Sequence, residues 1–163
     1  MGQQQLLLVI LVTIIVGIAT VVAINTFGQA ADSAAQDAVR QDLATIAASA
    51  QGYFMKPRML GGGGRAFDEP GDGISFNDIA FGGSLATDAD NNDAEIPTEA
   101  INENGAYQIG TVGPNSFVVT AWVGATAVDD GDASVIRARI CADNMVLGAV
   151  DAAAPAEGDC TNP

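Results

Sequence analysis

No charged side chain occurs in this chain before Asp32. Within that stretch, residues 6–24 run for 19 positions, softened by Thr13, Gly17 and Thr20. A helix spanning a bilayer needs about 20 apolar residues, and hydroxyls can bond back to the preceding turn, so the two threonines are tolerated. A cleaved secretory signal is the competing reading, and small residues at Ala23, Ala30 and Ala31 would suit a cut. Such a signal calls for a positive segment ahead of the apolar core, whereas Gly2, Gln3, Gln4 and Gln5 carry no charge. A retained apolar helix is the favoured reading.

The helical pattern does not stop at residue 24. Val39, Leu43, Ile46, Ala50 and Tyr53 recur at spacings of four, three, four and three, with Phe54 beside the last. That is one face of a helix. Asp37, Arg40, Gln41 and Asp42 are read as falling largely off it. No proline intervenes before Pro57. Gly17 and Gly28 are the weak points, each costing about 1 kcal/mol relative to alanine. A helix from Gln3 to Phe54 would be about 75 Å long. Its front, apolar all round, demands lipid or other helices; its rear would lay one stripe on a following head.

Charge narrows the function classes. Six basic residues stand against 20 acidic ones, a net charge of −14. Nucleic acid is therefore excluded as a partner, since phosphate neutralisation needs a basic surface. The same acidity suits either a soluble surface protein or one kept hydrated in high salt. The chain has no histidine, which removes His-based triads and most zinc sites. With no Gly-x-Ser-x-Gly either, only carboxylate chemistry remains, and carboxylates are too abundant here to single out a site. No enzymatic activity is expected. Cys141 and Cys160 are 19 positions apart; outside the cell they would form a disulfide, and otherwise they would be buried thiols.

The remaining sequence reads as strands. Residues 74–81 form a short candidate. Residues 106–112 and 117–123 flank the turn Gly113-Pro114-Asn115, and 134–140 and 145–150 flank Asp143-Asn144. An antiparallel sheet of three to five strands is expected, with one face over Val39, Leu43, Ile46 and Ala50, and with Phe117 and Trp122 in the core. The run Gly61-Gly62-Gly63-Gly64 lacks the Lys-Ser/Thr of a phosphate loop, carrying Arg65-Ala66 instead, and is read as a flexible joint. The run from Asp88 places oxygen donors at positions one, three, five and twelve of a calcium loop: Asp88, Asp90, Asn92 and Glu99. Position six is Asp93, where an EF-hand needs glycine. A calcium site of another form, drawing on Asp88, Asp90, Asn92, Asp93 and Glu99, and a solvated acidic loop both remain. No cofactor is required; calcium is the candidate.

The layout of residues 1–54, with the general plan of the tail, resembles type IV pilins and their relatives, the pseudopilins and archaeal pilin-like filament proteins. In that family a prepilin-type peptidase cuts after a glycine that precedes a hydrophobic helix. Gly2 followed by Gln3 resembles such a junction. The resemblance implies that Cys141 and Cys160 bound a C-terminal loop by a disulfide. It departs from the bacterial pattern at the fifth mature position, which carries glutamate there and is Gln5 or Leu7 here.

The expected fold class is α+β: a long N-terminal hydrophobic helix and a C-terminal antiparallel β-sheet head. The expected segments are a helix over 1–56 (its membrane or filament-core part over 1–30), a glycine-rich linker over 57–73 and a head over 74–163. The expected function is a structural subunit of an extracellular type IV pilus-like filament, for adhesion or motility. Leu6, Leu7, Leu8, Val9, Ile10, Leu11, Ile14, Ile15, Val16, Gly17, Ile18, Val21, Val22 and Ile24 would pack its core. Partners would be further copies of the chain, the membrane that holds it before assembly, and, by the resemblance, the pilus assembly machinery. The alternatives are a membrane-anchored extracellular monomer that binds calcium and a pseudopilin of a secretion system.

Overall fold

The computed structural model describes residues 2–68, 73–88 and 94–160. The chain divides into two compact units, Met1–Gln36 and Asp37–Pro163. One element enters both: helix α1, Gly2–Met55, 54 residues long. The absence of proline permits this length, and Pro57, in an extended conformation with φ −59° and ψ 146°, ends it because its ring cannot continue the helical ladder.

In the first unit α1 stands without tertiary cover. In the second unit its rear stretch buries Val39, Leu43, Ile46, Ala47, Ala50, Tyr53 and Phe54. All five positions of the sequence stripe are among them.

The rest of the second unit is a six-stranded antiparallel sheet whose spatial order follows the chain. The strands are β1 Ser84–Asp88, β2 Ala94–Asn102, β3 Gly105–Val112, β4 Ser116–Val123, β5 Val135–Cys141 and β6 Met145–Leu147. Alternation sorts their side chains between two faces. Tyr107, Ile109, Phe117, Val119, Ala121, Ile136, Ala138 and Ile140 join the helix stripe in the main core. Aromatic contacts run through it: Phe54 to Phe67 at 4.9 Å, Phe67 to Phe117 at 5.0 Å, Phe76 to Phe81 at 5.2 Å and Phe81 to Tyr107 at 5.1 Å between ring centroids. Phe117 lies in that core as expected. Trp122 is buried too, but with Ala106 and Ala125 in a smaller, separate cluster.

Two parts of the sheet differ from the sequence reading. Residues 74–81, taken for a strand, form a turn. The Asp78 carboxylate accepts from the Ser75 amide at 3.0 Å and the Ser75 hydroxyl at 2.6 Å, a local arrangement that competes with strand pairing. Ile74, Phe76 and Ile79 are buried regardless. Conversely, β1 and β2 form a hairpin that the sequence had concealed. Pro97 is accommodated where the register shifts: Ala86 faces Ile96 while Leu85 faces Ala100. A proline needs no amide at such an irregularity, and its carbonyl accepts from the Phe76 amide at 2.8 Å.

The glycine run is a helix cap, not a slack joint. After the 3-10 turn Arg58–Leu60, Gly61 adopts φ 78°, which glycine enters without penalty. The amides of Gly63, Gly64 and Arg65 then donate to the carbonyls of Tyr53, Lys56 and Phe54 at 3.0, 3.0 and 2.8 Å. Those carbonyls belong to the last turn of the helix and just beyond, where intrahelical partners are lacking. A Cβ on Gly62 would collide with the Lys56 carbonyl, and one on Gly63 with that of Ala66.

Candidate functional site

The feature that most needs explaining is the front of α1. Every residue from Gly2 to Ala34 is exposed. Among the fourteen positions expected to pack, Ile10 is the least exposed of the large side chains at 46% and Leu7 the most at 67%. Apolar groups cover all sides of the helix, and it is long and apolar enough to cross a membrane, with none of its most apolar window buried. Burying such a surface is worth about 25 cal/mol per Å², so the segment cannot rest in water.

Its threonine hydroxyls are already satisfied internally. Thr13 Oγ1 donates to the Ile10 carbonyl, Thr20 Oγ1 to Val16 and Thr26 Oγ1 to Val22, each at 2.9 Å. A hydroxyl that is bonded to its own helix enters an apolar medium without losing a hydrogen bond. At Gly17 no heavy atom beyond the helix's own neighbouring backbone lies within 4 Å of where a Cβ would sit, so another backbone could approach there. Gly2 and Gln3 are the first described residues of α1, and both are exposed.

Cys141 and Cys160 are joined by a disulfide with a Cα–Cα distance of 5.7 Å. The chain between them returns over the sheet and is pinned by arginines of β5. Arg137 donates to the Ala152 carbonyl and Arg139 to the Pro155 carbonyl, both at 2.7 Å. Removing a cross-link over a loop this size costs about 3 kcal/mol. Replacing both cysteines by serine is therefore expected to lower the denaturation midpoint of the full chain in detergent by that equivalent, read by circular dichroism.

Of the candidate calcium donors, only Asp88 and Glu99 fall among the described residues. Asp88 ends β1 and pairs with Ala94. Glu99 lies within β2 opposite Gln108 of β3, and its carboxylate accepts from Gln108 Nε2 at 2.8 Å. Asp90, Asn92 and Asp93 fall outside the described residues. Among the described residues no three His, Cys, Asp or Glu side chains are grouped to hold a metal ion.

One polar cluster escaped the sequence reading. Asp42, taken as lying off the apolar stripe, sits three residues after Val39 and four before Ile46, and so faces the sheet. Its Oδ2 accepts from Asn102 Nδ2 at 2.8 Å, Asn104 Nδ2 at 2.8 Å and Tyr107 Oη at 2.7 Å. Asn102 Oδ1 in turn accepts from the amides of Asn104 and Gly105 at 2.9 and 3.1 Å. One carboxylate thus bolts the β2–β3 turn to the helix. Burial opposes its charge, but the bonds from Asn104, Tyr107 and Asn102 outweigh that and hold the carboxyl below its ordinary value. Burial and the facing Asp42 push the Tyr107 hydroxyl far up, so it stays a donor. The available signal was an acidic residue at helical spacing from the apolar stripe.

The arrangement is an uncovered apolar helix joined to a stapled α+β head, a pilin-like layout; no family model, curated protein or solved structure matches the chain.

Proposed function

We propose that the chain is a structural subunit of an extracellular, type IV pilus-like helical filament, built by packing the apolar fronts of α1 from many copies. The carrying observation is the uncovered helix over residues 6–24: it is apolar on every side and free of charge, and it continues into a head with its own core. Before assembly the segment would lie in the membrane. During assembly neighbouring helices replace lipid, and Gly17, Ala19 and Ala23 allow close approach. The disulfide supports a head that faces an oxidising compartment. In this reading the head displays surface for adhesion or motility and performs no catalysis.

Shearing intact cells and imaging the released fraction by cryo-electron microscopy tests the proposal. A fibre whose core density fits residues 6–24 is the expected result. Protein found wholly in the membrane fraction, with no fibre, would overturn it in favour of an anchored monomer.

A further inference from the structure

The β2–β3 turn that Asp42 ties to the helix holds the only Asn-Gly pair in the sequence, Asn104-Gly105. Such a pair is chemically labile. With no side chain on the second residue, nothing shields the asparagine Cγ from that residue's own backbone nitrogen. Asparagine is for this reason depleted in proteins that work hot.

The fold requires both residues at this place. Gly105 pairs with Val123 of β4, and a Cβ on it would collide with the Trp122 carbonyl oxygen, so only glycine fits. Asn104 is half-buried and donates Nδ2 to Asp42 Oδ2 at 2.8 Å. An ionised aspartate in its place has no proton to donate and would set a second negative charge against Asp42, which like charges resist.

The closed turn also withholds the reaction. The attacking atom is the Gly105 nitrogen, whose proton is donated to Asn102 Oδ1 at 3.1 Å. The attacked group is the Asn104 amide, which must leave Asp42 to swing toward that nitrogen. Asn102 is itself bonded to the same Asp42 oxygen at 2.8 Å. One opening of the turn from the helix therefore releases nucleophile and target together, a local event that needs no global unfolding.

We infer that Asn104 is a self-modification site, with Asp42 as its gate. In the opened turn a base removes the Gly105 amide proton and the nitrogen attacks Asn104 Cγ. The N–Cγ bond forms, the Cγ–Nδ2 bond breaks, and Nδ2 departs as ammonia, its third proton returned by the base. Water then opens the succinimide ring at either carbonyl, leaving aspartate or isoaspartate. Either product puts a carboxylate where Asp42 requires a donor. Isoaspartate also lengthens the backbone and spoils the pairing of Asn102 with Gly105. The turn cannot be tied down again, so each head carries a one-way record of having opened.

Incubating the full-length protein in detergent at mildly alkaline pH, with mass mapping of the peptide holding residues 102–105 and enzymatic methylation of isoaspartate, tests this. A free peptide covering residues 99–110 should convert at least about tenfold faster than the parent. Asp42→Ala should accelerate the parent by a similar factor, the loss expected when bonds to a charged acceptor no longer hold the closed state. Replacing Cys141 and Cys160 by serine weakens the head elsewhere and should leave the rate near the parent's. Asn104→Asp should lower Tm by roughly 5 °C, and adding Asp42→Asn should recover most of that fall, which a generally damaged head would not do. A parent converting as fast as the peptide, or equal acceleration by Asp42→Ala and by loss of the disulfide, would overturn the gate. An unchanged Tm in Asn104→Asp, or no recovery with Asp42→Asn, would overturn the clash with Asp42. Should Asp42→Ala fail to fold, the comparison with the peptide and the recovery by Asp42→Asn still decide.

Discussion

Val16→Asp is expected to deplete the filament or membrane fraction about a hundredfold. Val16 is 57% exposed in the charge-free run, with no polar partner for a carboxylate at hand. An aspartate at the centre of an apolar helix costs about 2.5–3.5 kcal/mol in a membrane, close to two powers of ten in an equilibrium. A bundle of identical helices repeats that penalty in every copy. Quantitative immunoblotting of sheared, membrane and soluble fractions measures the effect, with Val16→Leu expected to behave like the parent. Normal fibres from Val16→Asp would mean that residues 6–24 do not form the packing surface.

Asp42→Ala should cost the head about 3 kcal/mol. The substitution strips the common acceptor from Tyr107, Asn102 and Asn104. Hydrogen bonds to charged groups contribute about 1.5–3 kcal/mol each, and leaving buried donors unpaired adds to the loss. Thermal melting of the full chain in detergent checks this, with a fall in Tm of roughly 10 °C. The pH dependence has a definite sign. The Asp42 carboxyl is held below its ordinary value in the fold, so its contribution is complete above about pH 4, the unfolded pKa range, and is lost as pH falls further through the folded pKa. Asp42→Asn preserves an oxygen for the three donors but removes the titration. The parent should therefore lose more stability than Asp42→Asn between about pH 5 and pH 2. Parallel losses would show that other carboxylates carry the acid sensitivity.

The helix was legible because two independent signals agreed, the missing charges before Asp32 and the regular stripe from Val39 to Tyr53. Strands β3, β4 and β5 were legible because apolar runs were bounded by turn residues such as Gly113-Pro114-Asn115. The hairpin of β1 and β2 was not, since Pro97 and its acidic neighbours carry the marks of a loop, and only the register shift beside Ala86 makes room for them. Residues 74–81 read as a short strand because a strand-like run does not register the bonds of Asp78 to Ser75. Four consecutive glycines signal conformational freedom; that this freedom is spent closing the end of α1 depends on where the chain goes next. Asp42 was hidden for a related reason. A carboxylate at helical spacing is solvated unless several donors converge on it, and those donors lie 60 to 65 positions away.

The hydroxyls of Thr13, Thr20 and Thr26 give the front of α1 a further property. Each is bonded within the helix itself, so residues 6–24 have no preference imposed by side-chain polar contacts for one apolar surrounding over another. Acyl chains, detergent and the flanks of sister helices are interchangeable hosts, distinguished only by how closely they fit. Transfer of residues 6–24 among them requires no hydroxyl bond to break, which makes that segment a passive traveller. The choice of destination then has to be made by groups that do discriminate, and those are the charged and polar side chains of the head.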